Sequence, residues 1–246
     1  MSSGFWLTKA PAAEIALVCF PFAGAGGHVF AQWSRHFGSA VSLRSVQLPG
    51  RGVRLKEAPI RSWPMLRQEL LQALRPLTGD RYAFFGHSMG ALMAYDMALA
   101  LHGEGLPPPE QLFLSAHRAP HLPNPSPPTT GMDDQAFLRK LRDLNGTPAE
   151  VLANRELMAM LLPALRADME LVESYACPTP CPLPTPIVAF AGTGDRSTAV
   201  GEVMAWQEFT SAEFSAHEFS GDHFYIFPHA QQLAALMSTT LLAPAT

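Results

Sequence analysis

The chain has 246 residues, 48% hydrophobic and 15% charged, with a formal net charge of −4. That length suits one domain with a sizeable core, and the balance excludes a disordered composition. Lys and Arg are scattered rather than gathered in a stripe, which argues against a nucleic-acid partner, and no apolar run nears the ~20 residues that span a bilayer.

The first residues, Met-Ser-Ser-Gly-Phe-Trp-Leu-Thr-Lys, lack a basic region followed by an apolar run, so no secretory signal is expected. Residues 15–20 (IALVCF) form a buried-strand run that ends at Pro21 and a glycine-rich turn, Ala23-Gly24-Ala25-Gly26-Gly27. A helix is expected over 29–37. Residues 41–48 alternate at period two and stop at Pro49-Gly50. Ser62 reads as an N-cap, with Pro64 in the first turn of a helix running to about 75. Strands at 82–85 and 111–115 flank an apolar helix over 89–101. Residues 117–128 carry five prolines and no periodicity, which makes them a loop.

Helices are then expected over 133–144 and 149–175. In the second, Met158, Leu161, Leu162, Leu165, Met169 and Val172 recur at helical spacing. That stripe reads as plain core packing, or as the apolar underside of a lid over an acyl pocket. A proline-rich exit through Pro178, Pro180, Pro182, Pro184 and Pro186 leads to a strand at 187–191. A helix around 199–206, a strand at 212–219 and a last helix over 227–242 complete the chain. Strands alternating with helices imply crossovers, hence an α/β class with a mainly parallel sheet and helices on both faces. The expected organisation is a single domain over 1–246 with a helical lid insertion at about 117–184. Cys19, Cys177 and Cys181 form no framework, which favours a reducing, cytoplasmic setting.

The strongest local signal is Gly86-His87-Ser88-Met89-Gly90. It matches G-x-S-x-G between an expected strand and an expected helix, the context that a nucleophile elbow requires. A side chain at Gly86 or Gly90 would collide with neighbouring backbone, and Ser88 would sit at a helix N-terminus that favours developing negative charge. The bland alternative is a serine in any tight strand–helix turn. A serine hydroxyl needs a base within hydrogen-bond reach. Among the downstream histidines only His223 lies in a polar turn (Ser220-Gly221-Asp222-His223) between a strand and a helix. His217 falls inside a strand and His229 inside a helix, positions that suit structural or solvated rings. Asp195, in the turn Gly192-Thr193-Gly194-Asp195 beyond the 187–191 strand, is the candidate to orient the imidazole. Asp168 is the rival acid, and Asp222 is too close to His223 in sequence to reach its ring. The N–H of Met89 and the N–H of Ala23 are the expected oxyanion donors, with Phe22 as the alternative to Ala23.

Other motifs fail. G-x-G-x-x-G from Gly24 meets Val29 where glycine is needed, and no G-K-[ST] follows. His117 and His121 lie in the proline-rich loop, and Cys177 and Cys181 lack companions, so no metal site is expected.

Beyond these residues, the chain resembles the type II thioesterases that accompany modular polyketide and nonribosomal peptide synthases, within the α/β-hydrolase superfamily. The resemblance rests on Phe20-Pro21-Phe22-Ala23-Gly24, Gln47-Leu48-Pro49-Gly50-Arg51-Gly52-Val53-Arg54 and Gly86-His87-Ser88-Met89-Gly90-Ala91. It continues through Leu161-Leu162-Pro163-Ala164-Leu165-Arg166-Ala167-Asp168, the Pro182-Leu183 to Pro186-Ile187 stretch, and Gly221-Asp222-His223-Phe224. Phe22 departs from it, because relatives often carry a polar residue such as histidine there. The resemblance implies an α/β-hydrolase fold and a Ser88–His223–Asp195 triad. The implied activity is hydrolysis of acyl groups from the phosphopantetheine arm of acyl or peptidyl carrier proteins, an editing role for stalled or wrong units. It implies no metal or redox cofactor; the composition, not the resemblance, argues against a membrane or nucleic-acid partner, and a compact single-domain enzyme of this kind is expected to be a monomer. A general carboxylesterase or lipase would use the same triad, and a non-catalytic binding relative is the third reading.

Overall fold

The computed structural model describes residues 6–143 and 154–243. Its centre is one six-stranded sheet in the order β2-β1-β3-β4-β5-β6. The strands are β1 (Ile15–Phe20), β2 (Val41–Ser45), β3 (Tyr82–His87), β4 (Leu112–Ser115), β5 (Ile187–Gly192) and β6 (Phe214–Phe219). All five pairings are parallel. The helices are α1 (Trp63–Leu74), α2 (Met89–Gly103), α3 (Asp134–Asp143), α4 (Arg155–Ser174), α5 (Val200–Met204) and α6 (Ala230–Leu241).

The period of two explains the layering. Ala16, Val18 and Phe20 of β1 point into an apolar layer with α1, α2 and Trp206. Ile15, Leu17 and Cys19 point into the opposite layer with Phe30, Trp33 and α6. Both faces of the sheet are therefore covered, which is why the inner strands β1, β3, β4 and β5 are buried along their whole length, whereas the edge strands β2 and β6 are only partly so. The order of strands reverses between β1 and β3. Ligands of open α/β sheets bind outside the carboxyl ends of the strands at such a switch point.

Several boundaries differ from expectation. The segment expected as a helix over 29–37 is two 3-10 turns, Gly27–Phe30 and Trp33–His36. Phe30 and Trp33 are three apart, a spacing that 3-10 geometry also places on one side. β2 stops at Ser45 because Val46 turns to bridge Leu7 in antiparallel fashion. Ser62 occupies the N-cap of α1, yet its side chain makes no capping bond. The last helix begins at Ala230, not 227, after a series of turns past Pro228, and His229 is its N-cap instead of an interior residue.

Among the described residues two helices stand between β4 and β5, α3 and α4; the expected stretches 144 and 149–153 lie outside the described residues. Asn154 caps α4 by accepting the Leu157 N–H at 3.0 Å. Phe137, Leu141, Met158 and Leu165 form a small apolar core of their own, while Leu171 joins the main one. Thus α4 belongs to the insertion at one end and to the sheet layer at the other. No described helix is long and apolar enough to cross a membrane.

Candidate active site

Ser88 lies between β3 and α2 with φ 55° and ψ −120°, a conformation that non-glycine residues avoid. Its neighbours make the bend possible. A Cβ on Gly86 would stand 2.0 Å from the Gly90 carbonyl oxygen, and one on Gly90 would stand 2.0 Å from the Phe20 carbonyl oxygen. Both obstacles are backbone, which cannot yield. The second contact also brings the loop after β1 against the start of α2. The Ser88 N–H donates to the Ser115 carbonyl at 2.8 Å and ties the bend to β4.

The loop after β6 brings His223 to this bend. Its Nε2 lies 2.9 Å from Ser88 Oγ and its Nδ1 lies 2.6 Å from Asp195 Oδ2. Asp195 follows β5, and its side chain is 1% exposed. The other carboxylate oxygen, Oδ1, accepts the Ser197 hydroxyl at 2.7 Å, the Ser197 N–H at 2.8 Å and the Thr198 N–H at 3.3 Å. Burial alone would raise the Asp195 carboxyl. Hydrogen bonds and charge from His223, with those from Ser197, outweigh it and hold the group below the usual carboxylate value. An ionised Asp195 fixes the proton of His223 on Nδ1 and leaves Nε2 as an acceptor facing the Ser88 hydroxyl.

The two N–H groups expected to receive an oxyanion are also at this edge. Met89 opens α2, where an N–H has no intrahelical partner. Ala23 lies in the turn after β1, closed by the Ala25 N–H donating to the Phe22 carbonyl at 3.0 Å, and its own N–H has no acceptor among the described residues. Phe22 packs edge-on against Phe224 at 5.0 Å and His87 at 5.8 Å between centroids. Ser88, His223 and Ala23 open into a cleft whose other wall includes Leu165, Met169 and Val172 of α4. Core packing and cleft lining, the two readings of the apolar stripe, are thus shared along one helix.

The rival acid is elsewhere. Asp168 pairs with both terminal guanidinium nitrogens of Arg51 and accepts the Gly24 N–H at 2.7 Å. Asp222 accepts the Phe224 N–H at 2.9 Å. His217 lies within β6, and His229 Nε2 meets the Ser220 carbonyl at 2.8 Å. His117 Nδ1 donates to the Arg118 carbonyl, whereas His121 Nε2 lies 3.5 Å from Glu208. Cys177 and Cys181 are unbonded thiols that both approach the Thr179 carbonyl.

Sequence reasoning overlooked three neighbours. Ser197 follows Asp195 by two residues, the spacing at which an aspartate commonly accepts local N–H and O–H donors, and that was a usable signal. His87, the variable position of the motif, bonds Ser115 Oγ at 2.8 Å, and that oxygen lies 2.6 Å from the Tyr225 hydroxyl. Arg118, in the loop after β4, donates to the carbonyls of Pro123 and Ser197 and braces the Asp195 loop. No local pattern marks it.

The family profile described as "Thioesterase domain" matches residues 16–241. The chain is 36% identical to the gramicidin S biosynthesis protein GrsT of Aneurinibacillus migulanus, over 95% of this chain and 92% of that one. Among solved structures it is similar to the RedJ thioesterase from the prodiginine pathway of Streptomyces coelicolor, with 38% identity, a TM-score of 0.85, and coverage of 94% and 90%. It is also similar to the type II thioesterase BorB from the borrelidin biosynthetic cluster, with 30% identity, a TM-score of 0.87, and coverage of 98% and 99%.

Proposed function

Because the chain belongs to the thioesterase family, we propose that it is a type II thioesterase that releases acyl groups from the phosphopantetheine arm of acyl or peptidyl carrier proteins. The observation that carries this reading is the relay Ser88 Oγ–His223 Nε2 at 2.9 Å and His223 Nδ1–Asp195 Oδ2 at 2.6 Å, facing a cleft walled by α4. The relatives' printed names support the pathway assignment: one serves gramicidin S biosynthesis and another comes from the borrelidin cluster.

In this scheme His223 Nε2 takes the Ser88 proton as Oγ attacks the thioester carbonyl. The tetrahedral oxyanion rests on the Ala23 and Met89 N–H groups; one such donor is worth about a hundredfold or more in rate. The intermediate collapses, the C–S bond breaks, and the thiol leaves with the proton from His223. A water then gives its proton to Nε2 and attacks the acyl-serine, which frees the carboxylic acid and restores Ser88. Asp195 holds the tautomer and steadies the imidazolium without itself being protonated. The scheme calls for no metal or redox cofactor. The enzyme works as a monomer beside its synthase in the cytoplasm.

The test is to load a butyryl group on a holo carrier protein, add the enzyme and follow the mass of the carrier. Loss of the acyl mass with wild type but not with Ser88→Ala is expected. Rapid cleavage of simple oxygen esters beside an untouched acyl carrier would favour a carboxylesterase. A chain inert to both, with Ser88 unlabelled by a fluorophosphonate, would be a binding module.

A further inference from the structure

Arg51 and Asp168 are both deeply buried, with side chains 5% and 1% exposed, and neither takes part in the proton relay. They come from the segments that most distinguish this sequence, the Leu48-Pro49-Gly50-Arg51-Gly52 loop and the middle of α4. Asp168 makes more than an ion pair. Its Oδ2 also accepts the Gly24 N–H at 2.7 Å.

Gly24 is the third residue of the turn that begins at Phe22, and its φ is +78°. Ala23, the second residue, is not in the left-handed region. That combination is a type II turn, whose middle peptide, between Ala23 and Gly24, has a fixed facing. The N–H of that peptide is the one that Asp168 holds. Leu165, one helical turn earlier on α4, covers the same glycine so closely that a Cβ on Gly24 would stand 2.3 Å from Leu165 Cδ2.

We infer that Asp168, neutralised by Arg51, is a positioning residue for the oxyanion turn: by holding the Gly24 N–H from α4, it fixes the turn that presents the Ala23 N–H to the reacting carbonyl. This rests on the functional reading above. A glycine-rich turn has little rigidity of its own, and a donor must be held within about half an ångström to act on a transition state. Without the acceptor, the middle peptide is free to flip to the type I form open to most residues. Arg51 has a second task. A bare carboxylate beside a developing oxyanion would oppose it, and the two-pronged guanidinium cancels that charge.

The variants Asp168→Asn, Asp168→Leu and the double variant Arg51→Met/Asp168→Leu separate positioning from mere stability. Asn retains an acceptor for Gly24, and the other two do not. Exchanging both members of a buried pair for apolar residues of similar size is often neutral for folding, so the double variant serves if Asp168→Leu fails to fold. Steady-state kinetics on butyryl-carrier protein are measured with affinity for a trifluoromethyl ketone analogue, which Ser88 converts to a tetrahedral oxyanion. Asp168→Leu and the double variant should lose about 10- to 100-fold in kcat with KM within about threefold, and ketone affinity should fall by the same factor. Asp168→Asn should lose less than either. A folded double variant with wild-type kcat, or a kcat loss with ketone affinity unchanged, overturns the positioning role alone. A wild-type protein inert towards acyl carriers overturns the functional reading and this role with it.

Discussion

The rings of His87 and His223 lie 5.2 Å apart between centroids, inclined at 49°. His87 is held well below the usual histidine value, by burial first and then by the charge that His223 can carry. It stays neutral beside the imidazole that takes up a proton in the proposed scheme, so it would add no repulsion to that intermediate. His117, at the cleft, is pushed down to about 4, again chiefly by burial.

These two groups set a pH window for stability. Their folded values lie below the unfolded value of about 6.5. Under that pH the unfolded chain takes up protons that the folded chain refuses. Stability is therefore lost as pH falls from about 6.5 towards each folded value, by at most about 1.4 kcal/mol per unit for each group. His117 contributes less than that because water reaches part of it. Asp195 acts in the other window: its depressed value supplies stability above about pH 4, lost only below it. The urea midpoint should accordingly fall between pH 7 and pH 5, and His117→Gln should flatten that slope. An unchanged midpoint across the range in the wild type would refute neutral burial of these rings.

Ser197 presents its hydroxyl 2.7 Å from Asp195 Oδ1 and 3.0 Å from His223 Nδ1. Ser197→Ala keeps the N–H bond to the carboxylate and removes only the hydroxyl. Hydrogen bonds to charged groups contribute about 1.5–3 kcal/mol, so kcat should fall roughly tenfold with KM little changed. The same cut removes one support of the ionised carboxylate, and the Asp195 pKa should rise, visible by NMR titration of the carboxyl carbon. A variant with full kcat would make the hydroxyl a bystander.

Asp195 and Asp168 answer differently to the same substitution. Asp195→Asn disturbs the tautomer of His223 and should lower kcat by about 10⁴. Asp168→Asn keeps an acceptor for the Gly24 N–H and should retain far more activity. Parallel assays on acyl-carrier protein give the ranking, and the reverse order would mean that the wrong carboxylate has been assigned to the relay.

What could be read from sequence follows the range of each interaction. The bend at Ser88 is written in five consecutive residues between a strand and a helix, and each is a local requirement. Asp195 and His223 are legible because they follow β5 and β6, in a glycine-rich turn and a polar turn, at the edge that Ser88 occupies. Element order was legible for the same reason, since the continuous apolar run IALVCF, the period of two over 41–48 and the helical spacing from Met158 to Val172 are local patterns. Arg51 and Asp168 are 117 residues apart, and nothing near either announces the other. Each lies in a recognisable motif, but a contact at that separation leaves no local trace, so the sequence alone keeps Asp168 open as a rival acid. The 29–37 stretch misled because aromatic spacing of three or four does not distinguish an α-helix from two 3-10 turns.

Met169 lines the cleft from α4, two residues before the carbonyl of Leu171 accepts the Trp63 indole N–H and anchors that end of the helix. The wall it forms is thus attached to the core, and in the proposed reading its side chain limits how much acyl chain fits. Met169→Trp fills space without touching the relay. Each methylene that loses its apolar contact costs about 0.8 kcal/mol, so kcat/KM for a decanoyl carrier should fall at least tenfold relative to an acetyl carrier. Met169→Ala should shift the ratio the other way by a smaller factor, because a partly filled pocket still excludes water. Competition between the two acyl carriers in one reaction, followed by mass, measures the ratio directly. If both variants leave it at the wild-type value, the acyl chain lies against another wall and the apolar stripe of α4 serves packing alone.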